Sequence, residues 1–479
     1  MKLHTVEKIG GTSMSDYQAV RDNIVLRGVR SEVSYQRVFV VSAYGGITDT
    51  LLEHKKTGKP GVFALFANTV DDDSWLDALE AVTTKIFAIN QSLFEGEALV
   101  EANEFIEQRL SDAKSCMTDL QRLCEHGHFA LEAHLATVRE MLSSIGEAHS
   151  AWNTAKLLQR DGINAQFVDL TGWKCDDHIS LDERIKRAFA DIDLAKVLPI
   201  ATGYAHSDQG LMSTFDRGYS EMTFSRIAVL TEAKEAIIHK EFHLSSADPR
   251  LVGEDNAVPI GRTNYDVADQ LANLGMEAIH PNAAKGLRKH EIPLRVKNTF
   301  EPEHAGTIIT VDYVSESPRV EIIAGRKSVY ALELFDQDMA GNITHYDREI
   351  LSLIRRFRAQ IVSKDINANT ITHYLAASLK VIKRIRRELE HVFQDAEVNQ
   401  QKVSVVSAFG SDMKQAGLLS AAVSALAAQN INVLAMHQSL RQVDMQFIVN
   451  EEDFETATKA LHKGLVEPHD HGRAICLAS

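Results

Sequence analysis

The chain has 479 residues, with 44% hydrophobic residues, 24% charged residues and a formal net charge of −15. That length exceeds one ordinary core and implies about two to four domains, with a composition typical of soluble globular proteins. The acidic surplus argues against a general nucleic-acid binder, whose affinity rests on neutralising phosphates, but not against a nucleotide enzyme with a local positive site.

No apolar run approaches bilayer length, and the opening Met1-Lys2-Leu3-His4-Thr5-Val6 has no signal-peptide core. A cytoplasmic protein with no membrane partner is expected. Cys116, Cys124, Cys175 and Cys476 form no CxxC pair and read as reduced thiols. His469 and His471 flank Asp470 near the C-terminus and read as a solvated tail, so no metal ligand is assigned.

In chain order, Thr5-Val6-Glu7-Lys8-Ile9 reads as a strand. It runs into Gly10-Gly11-Thr12-Ser13 and then a helix over Tyr17 to Leu26. Arg37 to Ser42 is an apolar strand ending in Ala43-Tyr44-Gly45-Gly46-Ile47-Thr48-Asp49. Residues 75 to 160 read as successive amphipathic helices, and Val197 to Gly203 as another buried strand. Strands that alternate with helices and close on Gly, Ser or Thr indicate an α/β fold with a mainly parallel sheet. Ligands in such folds sit beyond the C-terminal strand ends.

After about residue 315 the pattern changes, with Ser315-Glu316-Ser317-Pro318 as the expected linker. Two smaller α+β units are expected to follow, at 320–395 and 402–468, behind a larger domain at 1–312. The first has strand candidates at Val320–Ile323 and Ser328–Glu333 and a helix at Arg348–Phe357. Polar residues Gln394 to Gln401 are expected to separate it from the second, which reads strand, helix, strand, strand, helix from Val403 to Leu461. Lys380 to Arg387 is a basic run with apolar residues at helical spacing, expected to be a solvated helix face.

Paired glycines after a strand let backbone N–H groups approach a phosphate, and a following helix points its positive end there. Lys8 to Ser13 has this form, and Ser42 to Asp49 is a second Gly-containing turn with hydroxyls. Gly146-Glu147-Ala148-His149-Ser150 lies in a helical stretch. Asp216-Arg217-Gly218-Tyr219-Ser220-Glu221 offers an arginine that could hold a carboxylate bidentately. Ser246-Ala247-Asp248-Pro249-Arg250 and Gly275-Met276-Glu277-Ala278-Ile279-His280-Pro281 complete the set.

Together and in this order, these motifs resemble the aspartokinase family of the amino-acid kinase superfamily, and the tail resembles its paired ACT domains. The resemblance covers nearly the whole chain. It implies an αβα sandwich followed by two ACT-like domains, and phosphoryl transfer from MgATP to the β-carboxylate of L-aspartate. By position, Lys8 would act on the transferring phosphoryl group, and Gly10, Gly11 and Ser13 would line the phosphate path. Ser42, Thr48, Glu147, Arg217 and Ser220 would surround aspartate, with Arg217 on its α-carboxylate. Ser246, Asp248 and Arg250 would lie along the nucleotide. ATP and Mg²⁺ are the implied cofactors, and the ACT-like units imply a homodimer or higher homo-oligomer.

The departures have consequences. Glu277 stands where the family has a lysine, leaving Lys285 as a candidate replacement. Glu221 replaces an aspartate, and His239-Lys240-Glu241-Phe242-His243 replaces Thr-Asp-Val-Pro-Gly. This set resembles the branch associated with ectoine synthesis. Two other readings stay open: a superfamily enzyme acting on another acid, and a non-catalytic ACT amino-acid sensor.

Overall fold

The computed structural model describes residues 3–26, 35–55, 57–68, 73–126, 128–175, 177–215, 218–276 and 278–468. Asp216, Arg217, Glu277, Cys476 and the His469–His471 tail lie outside the described residues. The chain forms two compact units, one of residues 1–243 and 279–311, the other of residues 244–278 and 312–479.

The first unit is built on strands β1 (Thr5–Ile9), β2 (Arg37–Val41), β3 (Ala165–Val168), β4 (Leu198–Thr202), β5 (Glu235–Lys240), β6 (Leu294–Asn298) and β7 (Thr307–Thr310). They lie in the order β3-β4-β2-β1-β5-β6-β7. Every pairing from β3 to β6 is parallel, and β7 runs antiparallel to β6. Strands covered on both faces need near-continuous apolar runs, which is why Val38 to Val41 and Leu198 to Thr202 are buried throughout.

Helices α1 (Ser74–Leu93), α2 (Gly96–Cys124) and α3 (Leu135–Arg160) occupy the stretch expected to be helical. In α3 the residues from Leu142 to Ala151 are all buried, so functional groups there are enclosed by protein. The helix expected over Tyr17 to Leu26 is instead a short α-turn at Tyr17–Ala19 that widens into a π-helical segment, Val20–Val25. Later come α4 (Tyr219–Leu230) and α5 (Pro281–Lys289).

The second unit carries an antiparallel sheet of β8 (Ile322–Phe335), β9 (Gln360–Ile366), β10 (Thr370–Ala376), β11 (Glu397–Phe409), β12 (Val433–Gln438) and β13 (Asp444–Asn450). Their order is β9-β10-β8-β11-β13-β12. Helices α6 (Ile343–Arg356), α7 (Leu379–Val392), α8 (Leu418–Ala427) and α9 (Phe454–Leu465) accompany them.

Two long strands serve both small sandwiches. The later part of β8 pairs with the early part of β11, and Ile322–Arg326 pairs with Val405–Phe409. The register shifts between these halves, where Ser328 takes a left-handed φ of 58°. The two strand candidates around residue 328 are therefore one strand with a bulge. The polar stretch expected to separate the units is likewise strand, because Val398 turns inward while Glu397 and Asn399 face water. The second sandwich takes its closing strand from Ile322–Arg326, ahead of the first sandwich in sequence. The Ser315–Pro318 segment is held in place: the Ser315 amide donates to Ser411 Oγ (2.9 Å) and the Arg319 amide to the Asp412 carbonyl (2.9 Å). The basic run lies on α7, with Ile382 and Ile385 buried beneath it.

Candidate active site

Register aligns the strand ends of the first unit. Ile9 stands beside Val41 and His239, and Val41 beside Thr202. The next residues, Gly10, Ser42, Gly203 and Lys240, thus form one row at the C-terminal edge, where open α/β sheets hold ligands. Backbone bonds tie the row together: Ser42 N to Ile9 O (3.1 Å), Gly203 N to Val41 O (3.0 Å) and Gly10 N to His239 O (3.3 Å). At Gly11 and Gly203 the packing leaves no room for a side chain. A Cβ on Gly11 would lie 2.7 Å from the Ala43 carbonyl, and one on Gly203 would lie 2.8 Å from Glu147 Oε2.

Charged groups converge beside this row. Lys8 Nζ is 3.5 Å from Glu221 Oε1, and the His280 amide donates to Glu221 Oε2. Burial works to raise the Glu221 pKa, but Lys8, Lys240 and the His280 amide outweigh it and hold the carboxyl below its usual range. Glu147, 2% exposed, behaves oppositely. Burial pushes it up to about 8, although Lys8 and neighbouring Ser220, Tyr204 and Tyr219 oppose the rise. Its Oε2 has no hydrogen-bond partner among the described residues. A buried carboxyl oxygen without a partner is costly, and a cationic donor brought to it would remove that cost.

The other expected site residues divide into groups. Ser220 is buried in the first turn of α4, and Thr48 is half-buried in the helix Ile47–Leu51. The Ser42 carbonyl accepts from Ser150 Oγ at 2.8 Å, which ties the second glycine turn to α3. The Ser13 hydroxyl is buried 3.0 Å from Thr299 Oγ1, a structural contact. Ser246, Asp248 and Arg250 belong to the second unit. There Ser246 Oγ lies 2.9 Å from His462 Nε2 and accepts from the Val258 amide at 3.0 Å. His462 Nδ1 lies 2.9 Å from Glu467 Oε1. Asp248 caps the short helix Pro249–Val252 through the Arg250 amide, and both Asp248 and Arg250 are exposed. Lys285, the candidate replacement cation, is exposed on α5.

Sequence reasoning left Glu221, Lys240, His280 and Glu140 out of the site. Glu140 precedes Glu147 by two turns of α3, on the same face, and this spacing was its only signal. Its carboxylate accepts from the Tyr204 hydroxyl (2.7 Å), the Met212 and Ser213 amides (3.0 and 2.7 Å) and the Ser213 hydroxyl (2.9 Å). It thereby pins the chain that leads toward Asp216 and Arg217.

The amino acid kinase family model matches residues 4–298, and an ACT domain model matches residues 406–465. An aspartate kinase of Stutzerimonas stutzeri strain A1501, Ask_Ect, is 55% identical over 99% of this chain and all of its own length. Chloroplastic aspartokinase 1 of Arabidopsis thaliana is 26% identical over 97% of this chain and 80% of its own. Among solved structures, E. coli aspartokinase III with aspartate and ADP aligns with a TM-score of 0.72 at 20% identity, covering 96% of this chain and 99% of that one.

Proposed function

This chain belongs to the aspartate kinases of the amino acid kinase family, and from that premise we propose how its own residues carry the reaction. The observation that carries the reading is the pairing of Lys8–Glu221 with Glu147, whose carboxyl pKa is raised by burial and whose Oε2 has no hydrogen-bond partner among the described residues, at one edge of the parallel sheet.

Aspartate would bring an ammonium, an α-carboxylate and a β-carboxylate. The ammonium docks on Glu147 and supplies the donor that Oε2 lacks. The α-carboxylate goes to Arg217, whose planar fork suits it, with Ser42, Thr48 and Ser220 around the substrate. The β-carboxylate is ionised at neutral pH and needs no general base. One of its oxygens attacks the γ-phosphorus of ATP; the new O–P bond forms as the bond to ADP breaks, giving 4-phospho-L-aspartate. Lys8 offsets charge on the moving phosphoryl group, and the Gly10 and Gly11 backbone approaches the phosphates. Catalysis is then alignment and charge neutralisation.

Mg²⁺ would enter with the nucleotide, held largely by phosphate and water as such ions commonly are, and its chemical contribution would be to neutralise phosphate charge. The ACT-like units are proposed to join copies into a homodimer or larger homo-oligomer in the cytoplasm. No helix among the described residues is long and apolar enough to cross a membrane.

The decisive assay is aspartate-dependent ADP formation from MgATP, with hydroxylamine trapping the acyl phosphate. ADP production without a hydroxamate, or a preference for another acid, would overturn the reading.

A further inference from the structure

Lys8 is not the only cation near the half-buried Glu221 carboxylate at the phosphoryl end of the site. In the parallel register of β1 and β5, Lys8 stands beside Ile238. Side chains alternate along a strand, so Lys240, two residues on, projects from the same face as Lys8 and one pleat nearer the C-terminal edge. Both lysines also act electrostatically on the Glu221 carboxylate. Lys240 also occupies the row of Gly10, Ser42 and Gly203 at the sheet edge, and it is only partly buried, so its ammonium has access to an arriving ligand.

The local charges explain why a second cation is needed. Glu221 lies 3.5 Å from Lys8 and offsets that lysine before any substrate arrives. Glu147 has no partner for its Oε2 and takes the substrate ammonium. Lys240 places a second ammonium at the edge where the phosphate chain would lie, and a lysine is suited to such a point contact.

We propose that Lys240 is a second phosphate-binding residue, touching the nucleotide's phosphate chain while Lys8 serves the transferring group. This rests on the placement of the phosphoryl group at Lys8. The test measures binding as well as turnover. Lys240→Met, Lys240→Arg and Lys8→Met are compared by titration calorimetry with MgADP and, separately, with aspartate. Lys240→Met is expected to weaken MgADP by about tenfold to a hundredfold, the range for a charge-assisted hydrogen bond. Aspartate affinity should stay unchanged, and Lys240→Arg should recover most of the loss.

A purely local role, neutralising Glu221, predicts something else: in a Glu221→Gln background the Lys240→Met effect would vanish. Phosphate contact predicts that it persists. Unchanged MgADP binding in Lys240→Met, while Lys8→Met loses turnover, overturns the proposal alone. Unchanged turnover in Lys8→Met overturns the placement beneath it.

Discussion

Glu147 is buried and Glu221 half-buried beside Lys8, yet their carboxyls shift in opposite directions. Glu221 has two lysines and an amide around it and stays ionised, whereas burial dominates at Glu147 and lifts it to about 8. The native state keeps a proton on Glu147 that the unfolded chain releases near 4.5. This group's contribution to stability therefore declines as pH rises from that value toward 8. A docked ammonium reverses the preference, because the ionised form then has a partner. Aspartate binding at neutral pH is accordingly expected to release a proton, with affinity improving as pH approaches 8. Calorimetry in buffers of different ionisation heat reads the release directly. Glu147→Gln should abolish it and weaken aspartate about tenfold or more, leaving MgADP binding intact; binding without proton exchange would separate Glu147 from the ammonium. Lys8 and Glu147 were legible in the sequence because each sits inside a motif with distinctive neighbours. Lys240 was visible only as a departure from a motif. Its meaning depends on the register between β1 and β5, two strands far apart in the chain, and local sequence does not encode that register.

At the scale of elements, the chain of Ser246, His462 and Glu467 links the turn before Pro249–Val252 to helix α9. Ser246 and His462 are fully buried, and the serine hydroxyl also accepts the Val258 amide. Removing that hydroxyl leaves a ring nitrogen and an amide without their partner. Ser246→Ala is thus expected to destabilise the second unit by about 1–3 kcal/mol, seen as a lower urea midpoint. An unchanged midpoint would mean that water replaces the hydroxyl. Helix positions were largely legible, since the apolar periodicity of α1, α6 and α7 follows directly from their buried faces. The long strands were not. Arg326-Lys327-Ser328 and Glu397 to Gln401 look like breaks because their polar side chains face water, while their backbones continue the ladder. Backbone pairing across such a distance leaves no local trace in composition.

At the scale of the whole molecule, β12 is a sheet edge bearing Leu434 and Met436, which are 39% and 44% exposed, and the proposed assembly would use such an edge. Removing residues 402–479 would be the obvious test of assembly, but strand sharing changes its expected outcome. The cut strips Val405–Phe409 from Ile322–Arg326 and uncovers Ile322 and Ile323, both fully buried. The truncated chain is expected to aggregate and lose its cooperative melt, so sedimentation and calorimetry, not oligomer size alone, must be read. A soluble product with an unchanged melt would contradict the sharing. The shared strands also impose an order of assembly on the nascent chain. Ile322–Arg326 is synthesised before the first small sandwich, and its partners Val405–Phe409 only after it. The outer sandwich therefore cannot close until the inner one has left the ribosome. Since Arg326 and Val405 lie side by side in antiparallel register, the inner sandwich is a branch grafted onto the stem of a hairpin. Such a branch can be exchanged, lengthened or replaced by a two-residue turn without rethreading the sheet that bears it.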